Sequence, residues 1–403
     1  MNNPNDVKSP SPLAPTRFSR GAGLRRSPIK CRWLVAAVVT VVCSLPRVAR
    51  TIEIVPVIDS SITNLSYGAD VELTIRAALF EYKYRIKETT QVTIKFKHNS
   101  SVTAQNERLP AYVDYIKYRA ALAGAASSAL DSLAVSSLPL STPLVTPSSA
   151  DVFISYPLRR TLNITNGNGI SPPPPSMSSP DATISINTGI CKVGPDWSFT
   201  GVATLSLYTS LCHEINEVLG LYSVLNQSSP PPSETLAPED LFRYDQNNNR
   251  SFTTSSSEEA YLYVPGSGQI VRLNQWTSGD MGDWHTYSLS GPSDARVQDW
   301  EGTSFADPRL SDAETKALDI IGYTILPTPC WIDLSIGSDS NGGNYGGGYF
   351  YPYQTVTKAD ANIGSGGAIM VVATGNPTMH TGRISVTTPC KIVPFNGTLR
   401  IAP

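Results

Sequence analysis

One predicted helix carries three ionisable side chains at a spacing suited to binding a cation. The segment 205–219 contains His213, Glu214 and Glu217. Residues i and i+4 of an α-helix lie on the same face, so the imidazole of His213 and the carboxylate of Glu217 can bind one metal ion. Glu214 lies one residue further round the helix, where its carboxylate can reach a metal-bound water. The pattern predicts a metal site with Glu214 as the catalytic base and His213 and Glu217 as ligands.

The pattern is HExxE, which differs from the zinc-binding HExxH pattern in having Glu217 as the second ligand. In the longer form HExxHxxGxxH the glycine corresponds to Gly220, but Ser223 stands at the third histidine. A catalytic zinc has three protein ligands and a water, so a further ligand must come from another segment. HExxE alone is a weak signal, and a solvated acidic helix face remains the alternative interpretation.

The third ligand has two candidates, of which His285 is the predicted one. His98 lies in an early predicted strand and His380 in the C-terminal region, so neither is expected at the site. His285 directly follows the string GDMGDW, as expected for a last ligand on a distant segment before a closing helix. Asp283, inside that string, is the alternative, since an oxygen ligand also suits zinc. A plain turn formed by Asp280 and Asp283 would use the same residues.

Several short motifs follow the helix in order along the chain. The helix reads TSLCHEINEVLGLYS, and LFRY (241–244), GDMGDW (279–284) and LDIIGY (318–323) follow it. Together with DSSI (59–62), these segments resemble a family of secreted zinc metalloproteases, known mainly from bacterial genomes, whose helix reads HEIxEVLG or HEISEVMG. The resemblance covers roughly residues 52–325 and leaves out the C-terminal part.

The resemblance implies a zincin-like α+β fold, a bound Zn²⁺ and hydrolysis of a peptide or protein substrate. In such a site the metal polarises the scissile carbonyl and lowers the pKa of its bound water, while Glu214 takes the proton and passes it to the leaving amine. Glu217 in place of a neutral histidine lowers the Lewis acidity of the metal. The alternative function is therefore a catalytically inactive secreted structural or adhesion protein that retains the fold.

The composition excludes some classes of protein. Of 403 residues, 31 are Lys or Arg and 33 are Asp or Glu, so the net charge is −2 and 16% of the chain is charged, against about 25% in an ordinary domain. Without a basic surplus, nucleic acid is not an expected partner. No GxSxG elbow, P-loop or dinucleotide fingerprint is present. Asp245 begins a stretch that resembles a calcium loop, but Arg250 replaces the required glycine, so we interpret it as a turn.

The N-terminus has the properties of a secretory signal. Residues 1–30 are rich in Pro and Ser and carry several Arg and Lys residues, and an uncharged apolar run follows at 33–45. Thirteen helical residues span about 20 Å, less than the roughly 30 Å hydrocarbon core of a bilayer. We therefore predict a signal peptide, with a signal anchor as the alternative, and a secreted mature chain without a stable membrane span.

Cysteines and glycosylation sequons agree with secretion. Four cysteines follow the N-terminal region, an even number suited to two disulfides. Of the three possible connectivities we favour Cys191 with Cys212 and Cys330 with Cys390. Asn-x-Ser/Thr sequons, which predict a glycoprotein in a host that glycosylates, begin at Asn64, Asn99, Asn163, Asn226, Asn249 and Asn396.

Strand and helix patterns alternate along the chain and predict an α+β fold. Alternating apolar residues predict strands at 51–58, 91–97 and 182–187, and helical periodicity predicts helices at 69–85, within 112–135, at 205–219 and at 311–321. The helix at 205–219 is predicted to be amphipathic, and the apolar positions that face the core are Leu211, Ile215, Val218 and Leu219. Ser311 with Glu314 predicts a capping box at the start of the last helix. Short β-prone runs at 369–374 and 383–388 predict a small all-β appendage. The predicted organisation is a signal region (1–50), a zincin-like metalloprotease domain (51–327) and a Gly/Tyr-rich β region (328–403).

Overall fold

The computed structural model describes residues 51–141, 151–165, 172–193, 205–225, 235–276, 279–285, 295–300, 307–343, 345–373, 378–380 and 385–401. The predicted signal segment, Cys31, Cys43 and the sequon at Asn226 lie outside the described residues, as does part of the predicted strand at 383–388.

The strands of the described residues are mostly short. They are β1 (Glu53–Ile58), β2 (Gln91–His98), β3 (Ala104–Arg108), β4 (Pro110–Asp114), β5 (Asp151–Ser155), β6 (Ala182–Ile186), β7 (Cys191–Lys192), β8 (Leu205–Ser206), β9 (Thr235–Leu236), β10 (Arg243–Asp245), β11 (Ala260–Val264), β12 (Gly268–Leu273), β13 (Cys330–Ile332), β14 (Ala368–Val372), β15 (Thr378–His380), β16 (Lys391–Phe395) and β17 (Leu399–Ile401).

Eight α-helices lie among the described residues. They are α1 (Ser60–Thr63), α2 (Gly68–Lys83), α3 (Tyr115–Ala125), α4 (Ala129–Ser137), α5 (Tyr156–Thr161), α6 (Leu207–Leu219), α7 (Asp312–Ile321) and α8 (Val356–Asp360), with a short 3₁₀ helix at Glu239–Phe242. The α+β class expected from the sequence is confirmed.

The largest sheet has four strands in the order β1-β2-β6-β3. Strands β1, β2 and β6 are parallel, and β3 pairs antiparallel with β6. The apolar residues Val92, Ile94 and Phe96 of β2 are buried, as expected for a strand between two neighbours. Within the described residues β3 has no strand partner besides β6, so it forms one edge of the sheet.

Helix α6 is the predicted amphipathic helix and lies against α2 and β3. Its N-cap is Ser206, whose hydroxyl accepts from the Thr209 N–H at 3.2 Å. The apolar positions predicted to face the core are buried. The helix ends at Gly220, whose φ of 127° favours glycine over any residue with a side chain.

The other predicted helices are partly confirmed. Ser311 and Glu314 form the expected capping box at the start of α7, and Gly322 ends that helix. The stretch 112–135 is instead a strand end followed by two helices, α3 and α4. The break occurs because Ser128 caps a new helix, forming a capping box with Asp131.

The C-terminal region contains a parallel sheet in the order β13-β14-β16. The helix α8 packs beside this sheet, so the prediction of an all-β region is wrong. Trp331 and Met370 belong to the same hydrophobic core as the residues of α2 and α6. The sequence-based boundary at 327 stays a prediction, but the strands beyond it share a core with the part before it.

The four described cysteines are free thiols, so the predicted disulfides are not formed. Cys330 and Cys390 lie at strands on opposite sides of β14. Two strand spacings amount to about 9.5 Å, beyond the reach of a disulfide. Cys191 and Cys212 are fully buried, and Cys212 lies against the hydroxyls of Tyr82 and Tyr208. Among the described residues, no helix combines the length and apolar character needed to cross a membrane.

Candidate metal centre

The predicted helix brings two of its three ionisable side chains to a common point with a third residue from a loop. Nε2 of His213 lies 3.4 Å from Oε1 of Glu217 on the same face of α6, as the spacing predicts. It also lies 3.2 Å from Oδ1 of Asp283. The nearest donor atoms of these three residues all lie within 4.8 Å of one another. Asp283, the alternative candidate from the sequence, therefore joins the cluster.

His285, the predicted third ligand, lies elsewhere. Its backbone N–H donates to Arg272 O at 2.9 Å, and its ring stacks on Trp276 with centroids 6.4 Å apart. It is not part of the cluster formed by His213, Glu217 and Asp283. His98, set aside from the sequence, places Nδ1 2.9 Å from the Thr188 hydroxyl and is not part of this cluster.

The loop that carries Asp283 is held by a buried arginine of the LFRY segment. Arg243, which is 0% exposed, donates through Nη1 to Met281 O at 2.7 Å and through Nη2 to Asn274 O at 3.3 Å. Asn274 N–H in turn donates to Asp283 O at 2.7 Å. The LFRY and GDMGDW segments are therefore structurally linked, because Arg243 of the first fixes the path of the loop that contains the second.

The same loop passes very close to the chain that leaves α6. A Cβ atom on Gly282 would lie 2.6 Å from Ser223 N and 2.9 Å from Tyr222 C, so only glycine fits there. Asp280 accepts from the Gly282 N–H at 2.8 Å, which forms the turn expected as one interpretation of the string. Asp280 forms this turn, whereas Asp283 faces the cluster.

Strand β3 supplies two polar side chains that the sequence did not single out. Nδ2 of Asn106 donates to Oε2 of Glu214 at 2.7 Å and to Oε2 of Glu217 at 2.6 Å. Nη1 of Arg108 donates to Oε2 of Glu217 at 3.0 Å, and its guanidinium lies 3.8 Å from the ring centroid of Tyr222. The two side chains orient both helix carboxylates. Their positions i and i+2 in a strand were a usable signal, since such residues share a face.

Two buried amide side chains, Gln298 and Asn216, are also linked to the cluster by hydrogen bonds. Nε2 of Gln298 lies 3.0 Å from Oδ1 of Asp283 and 3.2 Å from Nε2 of His213. Oε1 of Gln298 accepts from Asn216 at 3.0 Å, and the Tyr82 hydroxyl lies 2.8 Å from Oδ1 of Asn216. No motif marks Gln298, so the sequence offered no signal for it.

The second ring nitrogen of His213 has its own partner. Nδ1 lies 3.1 Å from the carbonyl oxygen of Val297. A carbonyl only accepts, so Nδ1 carries a proton and donates it. This contact fixes the ring so that Nε2 faces the carboxylates, which is the arrangement usual for a metal-binding histidine.

The cluster forms part of the wall of a cleft of about 460 Å³. Its lining residues include Ala104, Gln105, Asn106 and Arg108 of β3 and Thr103, which precedes the strand. Glu214 and Glu217 face this cleft but are only 5% and 8% exposed. Their burial contradicts the interpretation of HExxE as a solvated acidic face.

Burial and the closely spaced charges shift the pKa values of the ionisable side chains in the site. Burial, together with the neighbouring charge of Glu217, raises the pKa of Glu214 to about 8. Burial opposes ionisation of Glu217 too, but the hydrogen bond and charge of His213 and the charge of Arg108 leave its pKa below the usual value. Burial lowers the pKa of His213, yet Asp283 and Glu217 more than offset this and raise it well above its usual value.

Two further carboxyl groups of the cleft are affected by burial. Burial and the charge of Asp283 raise the pKa of Asp280 to about 8. Burial raises the pKa of Asp299 to about 7. Several carboxyl groups therefore lie close together around the cluster, and a bound cation would stabilise their ionised forms.

The comparisons with known proteins identify no relative. No protein-family model, no curated protein and no solved structure matches the chain.

Proposed function

We propose that the chain is a secreted zinc-dependent peptidase with Glu214 as the general base. The observation that carries this proposal is the convergence of His213, Glu217 and Asp283 within 4.8 Å in the wall of a cleft. Glu214 occupies the neighbouring position on α6 and faces the same cleft. The likeness of HEINEVLG, LFRY and GDMGDW to secreted zincin-like metalloproteases supports the same assignment.

The donor set fits zinc. Zinc accepts histidine nitrogen and carboxylate oxygen at about 2.0–2.2 Å, so two ligands of a tetrahedral ion are about 3.3 Å apart. The separations of His213 Nε2 from Glu217 Oε1 and from Asp283 Oδ1 are 3.4 and 3.2 Å. The Nδ1 contact of His213 leaves Nε2 as the ligand atom. Three protein ligands leave a position for water or substrate, as a catalytic zinc requires.

The residues around the cluster have roles that follow from their contacts. Zinc held by His213, Glu217 and Asp283 would supply Lewis acidity at the scissile carbonyl. Glu214 would act as the general base, holding a proton on its carboxylate and passing it to the leaving amine. Asn106 holds the Glu214 carboxylate through Oε2 at 2.7 Å, which leaves Oε1 for the proton. Arg108 and Asn106 together orient Glu217.

The proposed substrate is a peptide in extended conformation. Strand β3 is a sheet edge and its residues line the cleft. A sheet edge presents unpaired backbone N–H and C=O groups that pair with an added strand. The backbone of an extended peptide has the complementary groups, and binding there brings it alongside α6.

A second candidate function is an inactive secreted structural or adhesion protein. The ion pairs of Glu217 with Arg108 and His213, and of Asp283 with His213, balance the charges of the cluster without any metal. Such a protein would retain the cluster for stability alone.

Zinc content and proteolysis distinguish the two candidates. Purified wild-type chain is expected to hold one equivalent of zinc and to cleave a generic protein substrate, whereas Glu214→Gln retains the zinc and loses cleavage. Glu72→Gln, on the exposed face of α2, serves as the control. Equal cleavage by wild type and Glu214→Gln would rule out the peptidase. A wild-type chain that takes up no zinc would favour the structural protein.

A further inference from the structure

The amide of Gln298 is placed where a fourth donor to the cation would lie. Its terminal atom is 3.0 Å from Oδ1 of Asp283 and 3.2 Å from Nε2 of His213. These separations are close to the roughly 3.3 Å between two ligands of one zinc ion. Gln298 is 0% exposed, and its backbone is fixed because its N–H donates to Glu314 at 3.1 Å and its carbonyl accepts from Trp284 at 2.7 Å.

The atom that faces the cluster is Nε2, which cannot bind a cation. Its N–H group instead donates to the Asp283 carboxylate, which suits a site without metal. The oxygen and nitrogen of an amide have similar size, so a rotation by 180° exchanges them without moving any neighbour. Because the Gln298 side chain is buried, its amide can rotate only if its hydrogen-bond partner, Asn216, can also exchange donor and acceptor.

Asn216 can make this exchange. Asn216 lies between Gln298 and Tyr82, at 3.0 and 2.8 Å, and is fully buried. If both amides rotate, Asn216 Oδ1 accepts from the Gln298 N–H, and the Asn216 N–H donates to the oxygen of Tyr82. The contact of Gln298 with Asn216 and the contact of Asn216 with Tyr82 each keep one donor and one acceptor.

Tyr82 makes the reversal possible because it has two acceptors and a single proton. Its hydroxyl lies 2.8 Å from Oδ1 of Asn216 and 2.7 Å from the carbonyl oxygen of Cys212. A phenol donates one hydrogen bond and also accepts. With the proton directed to Cys212 O, the hydroxyl oxygen is free to accept from Asn216.

We propose that Gln298 is a fourth protein ligand of the metal, reached by a joint rotation of the amides of Gln298 and Asn216. In the rotated form the Gln298 oxygen lies beside Oδ1 of Asp283, and an amide oxygen and an ionised carboxylate oxygen at that distance repel unless a cation binds both. The cation therefore selects the rotated form. This inference rests on the proposed metal site and adds a regulatory step to it.

The consequence is a resting site with four protein donors. A site of this kind is closed, whereas catalysis requires an open position for water or substrate. Rotation of Gln298 back to its N–H form releases that position, and the Tyr82 proton returns to Asn216. The amide pair thus switches the site between a closed and an open state.

The test uses the full chain, zinc competition against a chromophoric chelator, and the visible absorption of the Co²⁺-loaded protein. Gln298→Leu removes the donor, so zinc affinity is expected to fall by at least the roughly 10–100-fold that follows loss of an outer contact, with a changed Co²⁺ spectrum as water replaces the amide oxygen. Gln298→Glu keeps an oxygen donor without any rotation and is expected to bind zinc at least as tightly as wild type. Gln105→Leu, at an exposed position of the same cleft, is the matched control and leaves both readouts unchanged.

The results distinguish a fourth ligand from an amide that only positions other groups. A Gln298→Leu protein with the wild-type Co²⁺ spectrum overturns the fourth ligand, whatever its affinity, because a merely positioning amide would leave the coordination unchanged. If Gln298→Leu does not fold, weaker zinc binding by Gln298→Glu overturns it instead. A wild-type chain that binds no zinc overturns the proposed function together with this inference, whereas zinc binding lost in His213→Ala but unaffected at position 298 overturns the inference alone.

Discussion

Nε2 of His213 lies 3.2 Å from Oδ1 of Asp283, which joins helix α6 to a loop from a distant part of the sequence. The contact depends on Arg243, which holds the loop through Met281 O and Asn274 O. It also depends on Gly282, which lets the loop approach the end of α6. The third position of the cluster is thus determined by buried backbone contacts.

Asp283→Asn is expected to weaken zinc binding by more than the roughly 10–100-fold that follows loss of an outer contact. The substitution keeps the size of the side chain and removes the charge that faces His213. His285→Ala is the matched comparison and should retain zinc, because its ring stacks on Trp276 outside the cluster. Zinc content after dialysis against a weak chelator measures both. Loss of zinc in His285→Ala with retention in Asp283→Asn would reverse the assignment.

Much of the local structure was predictable from short-range patterns. The spacing of His213 and Glu217 predicted their convergence, and Ser311 with Glu314 predicted the start of α7, because both relationships lie within one or two helical turns. The choice between Asp283 and His285 was not decided by pattern, since it depends on how Arg243 directs a loop. Asn106 and Gln298 belong to no motif, and only the pairing of β3 with β6 and the packing of buried amides bring them to α6.

Arg108→Met should destabilise the metal-free protein more than the zinc-loaded one. Without metal, the buried Glu217 carboxylate loses its guanidinium partner, at a cost of about 1–3 kcal/mol. A zinc ion beside Glu217 supplies the missing positive charge, so the increase in Tm on adding zinc should be larger than in wild type. Thermal unfolding with and without zinc measures this.

Arg250→Met is the matched control, because Arg250 also lies over a tyrosine ring, 4.8 Å from the centroid of Tyr244, but away from the cluster. Its loss of stability should be the same with and without zinc. An equal response of the two variants to zinc would contradict the pairing of Arg108 with Glu217.

Glu239→Gln should make the protein more stable than wild type as the pH rises. Glu239 is 1% exposed, and among the described residues neither carboxylate oxygen has a hydrogen-bond partner. Burial, with the charge of Asp240, raises the pKa of Glu239 well above 4.5. A raised pKa in the folded state gives stability that is present below pH 4.5 and is lost as the pH rises towards the folded pKa.

The difference in unfolding free energy between Glu239→Gln and wild type should therefore grow by about 1.4 kcal/mol per pH unit above pH 4.5, up to the folded pKa. Urea unfolding at several pH values measures it. Glu258→Gln, at an exposed position, is the control for the substitution itself and should change the free energy of unfolding by no more than about 0.5 kcal/mol. A difference that is constant with pH would mean that Glu239 is ionised in the folded protein.

Gly282→Ala should lower both stability and zinc affinity. The added Cβ would lie 2.6 Å from Ser223 N, and backbone on both sides must move to relieve the clash. The movement carries Asp283 away from His213. Gly124→Ala, where no atom lies within 4 Å of the added Cβ, is the control in helix α3 and should stabilise by up to about 1 kcal/mol. Thermal unfolding and zinc competition measure the pair, and normal zinc affinity in Gly282→Ala would show that the loop tolerates the shift.

The C-terminal strands should prove necessary for folding of the part that carries the cluster. Nε1 of Trp331 donates to the buried carboxylate of Glu81 at 3.2 Å, and its ring packs against Tyr349 and Phe395. Glu81 also lies 3.8 Å from Arg85. Removal of Trp331 leaves a cavity and weakens the set of contacts around a buried charge.

Trp331→Ala is therefore expected to cost about 3–5 kcal/mol, and a chain that ends at residue 327 should not unfold cooperatively. Trp276→Ala is the matched control, since Trp276 is 55% exposed, and it should change stability by no more than about 0.5 kcal/mol. Urea unfolding followed by circular dichroism measures all three. Cooperative unfolding of a chain that ends at residue 327 would contradict this prediction. The C-terminal region would then be a separable appendage, because the core formed by the residues before it would be stable without the buried ring of Trp331.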